Sequence, residues 1–211
     1  MRDVTIIGTG KMAAAIGGLA VAAGHVCEVI GRDAEKTRRL ADRLGGRATA
    51  GVVGHSPAAE IVILAVPYPS ALDMVALLGP ALASKIIVDI TNPIKPDLSG
   101  FLTHAGSSGA REIAAAADPR AALVKAFNTL PSDALADGAI SNRTLDVFLA
   151  GDDLRAKQRV SAFVSSLGLR PLDTGPLTMA WALEHACMTW LGIMTHSIHH
   201  PAFALTIDPV V

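Results

Sequence analysis

Aromatic side chains are scarce in this chain of 211 residues: Phe, Trp and Tyr together make up 4%, with a single tyrosine. Ala, Val, Leu and Ile must therefore fill the core, which suits a parallel sheet covered by helices. Cysteine is scarce too. Cys27 and Cys187 lie in apolar surroundings and form no CxxC pair, which excludes a disulfide scaffold and leaves buried thiols in a reducing compartment as the simple reading. No long run of one charge occurs, and 18 basic residues nearly balance 19 acidic ones, so nothing points to nucleic acid or an anionic membrane. An apolar strand begins almost at Met1, so no signal peptide is expected and a cytoplasmic protein is. The most apolar late segment, Leu177 to Ile198, approaches bilayer length but carries Glu184, His185 and His196, which fits a buried interface helix better than a membrane span. Small molecules and other chains remain as partners.

What the chain does contain is a strand, a glycine turn and a helix within its first twenty-odd residues, VTIIGTGKMAAAIGGLAVAA from Val4 to Ala23. Gly8, Gly10 and Ala13 satisfy G-x-G-x-x-[GA]: the first glycine permits the tight turn, the second lets a pyrophosphate approach, and the small third residue lets helix pack on strand. The N–H groups and positive dipole end of the helix then face the phosphates. After a second strand, His25 to Ile30, an NAD site would place a carboxylate, whereas this chain has Gly31-Arg32 and then Lys36. A guanidinium that forks onto phosphate and an added ammonium favour NADP over NAD. Asp33 is either that acid displaced by two positions or, the reading preferred here, the N-cap of a helix from Ala34 to Leu44.

Further strands are expected at Ala48 to Val53, Ile61 to Val66, Ile86 to Ile90, Val124 to Phe127, Leu145 to Ala150 and Leu169 to Asp173, the last an edge because of Pro171. In doubly wound sheets ligands lie beyond the carboxyl ends of the strands. That places Val66, Pro67 and Tyr68 after one strand, Thr91, Asn92 and Pro93 after the next, and Asn128 to Pro131 after a third. Tyr68 either meets the nucleotide or packs; Asn92 either holds a carboxamide or ribose hydroxyl or merely opens a turn. The loop Gly106 to Gly109 either binds an anion at a helix start or links two elements. The fold class is α/β, a Rossmann-type, doubly wound and mostly parallel sheet. Residues 1–175 form the NADP-binding domain and 176–211 a C-terminal helix and tail. That helix is apolar around most of its circumference, so a second subunit should cover it and a homodimer is expected. Glu184 and His185 read as an interfacial or capping pair. His196, His199 and His200 share metal-like spacing, but no carboxylate or cysteine completes a set, and no metal site is expected.

The motifs IIGTGKM-AAAIGGLAVAAGH, VIGRD…K, VPYP, DITNP, VKAFNTLP and LAGDD…K…V…LGLRPLDTGPL together resemble the NADPH-dependent reductases of the deazaflavin coenzyme F420, over about Met1 to Leu191. The last motif is also similar to the cytosolic domain of membrane metalloreductases. The resemblance implies that Thr9, Arg32 and Lys36 hold the 2′-phosphate, and Gly8, Gly10, Lys11 and Met12 the pyrophosphate. It also implies that Pro67, Asn92 and Pro93 line the nicotinamide pocket, with Asn128 and Leu130 close to the deazaflavin. Two departures stand out: family members usually carry Asn-Leu-Gly at Lys11-Met12-Ala13, and the tail after Ile193 differs. The implied reaction is hydride transfer between NADPH and coenzyme F420, in which the protein stacks and orients two rings. No Ser-His-Asp, Tyr-x-x-x-Lys or paired-carboxylate set stands out, so no catalytic side chain is assigned. The alternatives are an NADPH-dependent reductase of an imine, carbonyl, flavin or ferric chelate, or a non-catalytic NADP-binding module. Direct reduction of an imine, carbonyl or enone would need a proton donor such as Tyr68, His104 or His185.

Overall fold

A computed structural model describes residues 2–140, 143–201 and 203–208; positions 202 and 209–211 of the expected tail segment lie outside them. Strand β1 (Val4–Ile7) is apolar and fully buried, and it pairs in parallel with β2 (Cys27–Gly31) on one side and β4 (Ile61–Leu64) on the other. Adding β3 (Ala48–Val52), β5 (Ile86–Asp89) and β6 (Ala122–Lys125) gives six parallel strands in the order β3-β2-β1-β4-β5-β6. The order reverses at β1, so helices leave in opposite directions on either side of it and a crevice opens at the carboxyl ends of β1 and β4. Beyond β6 the sheet continues with β9 (Asp146–Gly151), which is antiparallel, and β10 (Arg170–Asp173), parallel to β9 and an edge as its proline requires. A small hairpin, β7 (Ala139–Ile140) with β8 (Arg143–Thr144), lies apart from the sheet.

Each face of the sheet carries its own apolar cluster. One holds Ile6, Val29, Ile63 and Val88 under α1 (Lys11–Ala22), α5 (Ser132–Asp137) and α6 (Leu154–Ser166). The other holds Ile7, Val62, Leu64 and Ile87 under α3 (Tyr68–Leu78) and α4 (Gly109–Ala116). Helix α2 (Ala34–Leu44) begins where the sequence places it, because the Asp33 carboxylate accepts hydrogen bonds from the Glu35 and Lys36 amides at 3.0 Å each. That carboxylate is thereby committed as a cap, and the Lys36 amide bond first of all holds its pKa below the usual range.

Helix α7 (Ala180–Ile193) follows a short 3-10 turn and runs into a π-helical turn, Met194–Ile198. Ala180, Leu183, Glu184, Cys187 and Trp190 form its buried stripe. The expectation of burial on every side is not met within one chain, for Trp181 keeps 48% of its surface exposed. His185 is held by its Trp181 carbonyl bond and by ring contacts to Trp181 and Phe101. Both cysteines are buried, and burial first of all pushes each thiol up to about 11, well away from thiolate. Among the described residues no helix is long and apolar enough to cross a membrane.

Candidate nucleotide-binding and active site

The turn after β1 is built around Gly8. Its φ of +131° is a conformation that L side chains rarely adopt, and a Cβ there would lie 2.1 Å from the Ala65 carbonyl oxygen, so no other residue fits. Its N–H bonds the Ile30 carbonyl at 2.7 Å, tying the turn to β2. Nothing stands within 4 Å of a Cβ built on Gly10, and α1 starts there with no side-chain cap, leaving its first-turn amides to face outward. These are the features an approaching pyrophosphate needs.

In front of that turn lies a cavity of about 300 Å³. It brings together Gly8, Thr9, Gly10, Arg32, Lys36, Val66 and Pro67, residues drawn from three separate βα junctions. Val53, Ser70, Asp73 and Met74 also line it; Ser70, Asp73 and Met74 sit on α3, and no motif marks them in the sequence. Lys11 is exposed beside the turn, while Met12 packs partly against the core. Tyr68 is absent from the cavity lining. Its ring is buried in the cluster under α3 and α4, and its hydroxyl donates to Glu112. Burial and that carboxylate both raise its pKa, keeping the phenol protonated.

A second group gathers at the ends of β5 and β6. Asn92 and Asn128 pair reciprocally: Asn128 Nδ2 donates to Asn92 Oδ1 at 2.9 Å, and Asn92 Nδ2 donates to the Asn128 carbonyl at 2.8 Å. Asn128 Nδ2 also donates to the Leu183 carbonyl of α7 at 2.9 Å. Phe127, just before it, is fully buried with φ +58°, strain of the kind stored where a functional side chain must be aimed. Pro93 is buried beside Asn92, and Leu130 is a core residue, 5% exposed. Beneath this group sits Lys125, without solvent contact, donating to Asp89 at 2.8 Å, Glu184 at 2.9 Å and the Thr91 carbonyl at 2.5 Å. Burial pulls its pKa down, but the two carboxylates outweigh that and hold it above the ordinary range. Glu184 in turn accepts from the Gly109 and Ala110 amides, capping α4. The signal for this network was a lone charge inside each of two apolar strands, Asp89 in IIVDI and Lys125 in ALVKAF. The Gly106 to Gly109 loop thus meets a carboxylate of the same chain. Among the described residues no cluster of three metal-ligating side chains exists.

Residues 3–93 match the family model described as NADP oxidoreductase, coenzyme F420-dependent. The chain is 26% identical over 200 residues to the F420-dependent NADP reductase of Methanothermobacter marburgensis, covering 87% of this chain and 88% of that protein. By these two matches the chain is similar to the NADP oxidoreductases described as coenzyme F420-dependent. Rat metalloreductase STEAP3 is 31% identical over 181 residues, which is 86% of this chain but 35% of the rat protein, so the chain spans about a third of that relative. A crystal structure of a candidate F420-dependent NADP reductase from Arthrobacter sp. FB24 superposes with a TM-score of 0.88 at 23% identity, covering 99% of this chain and all of the other, and so shares the fold. The matches indicate an NADP-dependent oxidoreductase, and the residues of this chain fit that nucleotide. The Gly8 cradle would close on any side chain, Arg32 and Lys36 supply cations at the end of β2, and two buried polar atoms, Thr91 Oγ1 and Asn128 Oδ1, have no protein partner.

Proposed function

We propose that the chain transfers a hydride between NADPH and the deazaflavin coenzyme F420. The observation that carries this reading is what the active edge presents. Its single tyrosine is committed to Glu112 and kept protonated, and the side chains at the ends of β5 and β6 are the amides Asn92 and Asn128 beside the neutral hydroxyl of Thr91. Amides orient rings; they do not deliver protons. Hydride exchange between two cofactor rings asks for orientation and exclusion of water rather than a side-chain acid.

In this reading Thr9, Arg32 and Lys36 hold the 2′-phosphate, and Gly8, Gly10, Lys11 and Met12 form the bed for the pyrophosphate. Val66, Pro67, Asn92 and Pro93 bound the nicotinamide, and Asn128 and Leu130 lie close to the deazaflavin, where the two rings meet. Bound NADPH supplies the hydride. The metalloreductase likeness at 31% identity favours a second reading, with a flavin or a ferric chelate as acceptor. The exposed flank of α7 around Trp181 supports a homodimer, and the two buried, protonated thiols support a cytoplasmic setting.

The deciding experiment mixes the purified chain with NADPH and, separately, oxidised F420, FMN and ferric citrate, following the nicotinamide and deazaflavin absorbance bands. Consumption of F420 is the expected outcome. Turnover of FMN or ferric citrate alone transfers the assignment to the second reading, and tight NADPH binding with no acceptor consumed leaves a binding module.

A further inference from the structure

Thr91 and Asn128 are each 4% exposed, and Thr91 Oγ1 and Asn128 Oδ1 are buried without a hydrogen-bond partner. An unpaired buried polar atom is expensive, and native folds rarely keep one without a use. Here there are two, at the carboxyl ends of the adjacent strands β5 and β6, where ligands of such sheets bind.

The neighbouring bonds decide what these atoms can accept. The Leu183 and Asn128 carbonyls can only accept, so the Asn128 and Asn92 amides bonded to them must present Nδ2 there. Asn128 Oδ1 is therefore the free end, an acceptor awaiting a donor. Thr91 has its backbone fully used, the N–H on Asp89 and the carbonyl on Lys125, so only its hydroxyl remains. The left-handed backbone of Phe127 and the buried Lys125 ammonium fix both residues in place.

We propose that Thr91 Oγ1 and Asn128 Oδ1 read the carboxamide of the nicotinamide ring, Asn128 accepting from its N–H and Thr91 bonding its polar edge. This rests on the nucleotide assignment above and is independent of the hydride acceptor. Asn92, half-buried and bonded to Asn128 through both ends of its amide, is the most exposed member of the group and holds Asn128 in this orientation. Thr91 and Asn128 are then positioning residues that set the ring's orientation.

Calorimetric titration of the full chain tests this with three probes: NADP⁺, its 3-acetylpyridine analogue, whose methyl ketone has no N–H, and adenosine 2′,5′-bisphosphate, which has no nicotinamide. The wild-type chain should bind the analogue about tenfold more weakly than NADP⁺, the loss of one well-made hydrogen bond. Thr91→Val, which replaces the hydroxyl with a methyl of the same shape, should bind NADP⁺ about fivefold more weakly, bind the bisphosphate unchanged, and melt at a higher temperature without ligand because an orphaned group is gone. Thr91→Ser should restore NADP⁺ affinity. Equal wild-type affinity for NADP⁺ and the analogue overturns the proposal without any variant, as does a Thr91→Val chain that binds NADP⁺ normally. Failure of the wild-type chain to bind the bisphosphate overturns the nucleotide assignment and this proposal with it; binding of the bisphosphate beside indifference to the carboxamide overturns this proposal alone.

Discussion

Lys125 Nζ lies 2.9 Å from Glu184 Oε1, a contact across 59 residues that joins the end of β6 to the C-terminal helix. Both groups are buried, and Asp89 completes the cluster from β5. Glu184 also caps α4, so this one carboxylate fixes the spacing of three elements around Thr91, Asn92 and Asn128. Lys125→Met should leave two carboxylates facing each other without a cation and destabilise the fold by about 3–5 kcal/mol, the range for breaking a buried pair from one side. Urea unfolding measures it. A loss within experimental error would mean the carboxylates protonate or rehydrate freely, and that the cluster does not organise the site.

Arg32 faces the cavity at the end of β2 with Lys36 one helical turn away, while Asp33 is committed to the start of α2. A nucleotide bearing a 2′-phosphate should therefore lose a forked, charge-assisted contact in Arg32→Ala. NADPH affinity should fall about tenfold to a hundredfold with NADH affinity little changed. Parallel losses for both nucleotides would show that Arg32 does not meet the extra phosphate.

The parallel sheet, the Gly8 turn, the Asp33 cap and the edge position of β10 were all legible in the sequence because each follows from local rules: apolar runs, a glycine with positive φ, a capping carboxylate, a proline. The burial of Tyr68 was not, since a tyrosine after a strand serves a ligand or a core equally well until its hydroxyl partner, 44 residues on, is known. Nor could the Lys125 cluster be assembled, because its members come from β5, β6 and α7 and only the fold brings them together. The covered and open flanks of α7 were indistinguishable by periodicity, as its apolar residues run around most of the circumference.

The open flank of α7 makes its own prediction. Trp181 and Met179 expose 48% and 38% of their surface, an apolar area that a second copy of the chain would cover. Light scattering should give the mass of a dimer, and Trp181→Glu should shift it to that of one chain. A monomeric wild-type protein at micromolar concentration would remove the dimer from the account.

Glu112 supplies a pH dependence of definite sign. Burial pushes its carboxyl up, but hydrogen bonds from the Tyr68 hydroxyl, the His104 amide and ring, and Ser107 outweigh this and bring it from 4.5 down to about 2. A carboxyl lowered on folding stabilises the folded state fully above its unfolded range, and that contribution disappears as pH falls through the folded value. Wild-type protein should therefore exceed Glu112→Gln in stability at pH 7, and the gap should close between about pH 5 and pH 2. His104, whose ring is 92% exposed, contributes only a screened partner to this pair, so the acid limb should persist in His104→Ala, reduced but not abolished. Chemical unfolding at a series of pH values reads both effects. A gap that stays constant down to pH 2 would mean Glu112 titrates as an ordinary surface carboxylate and that its bond to Tyr68 does not hold the phenol away from the cavity.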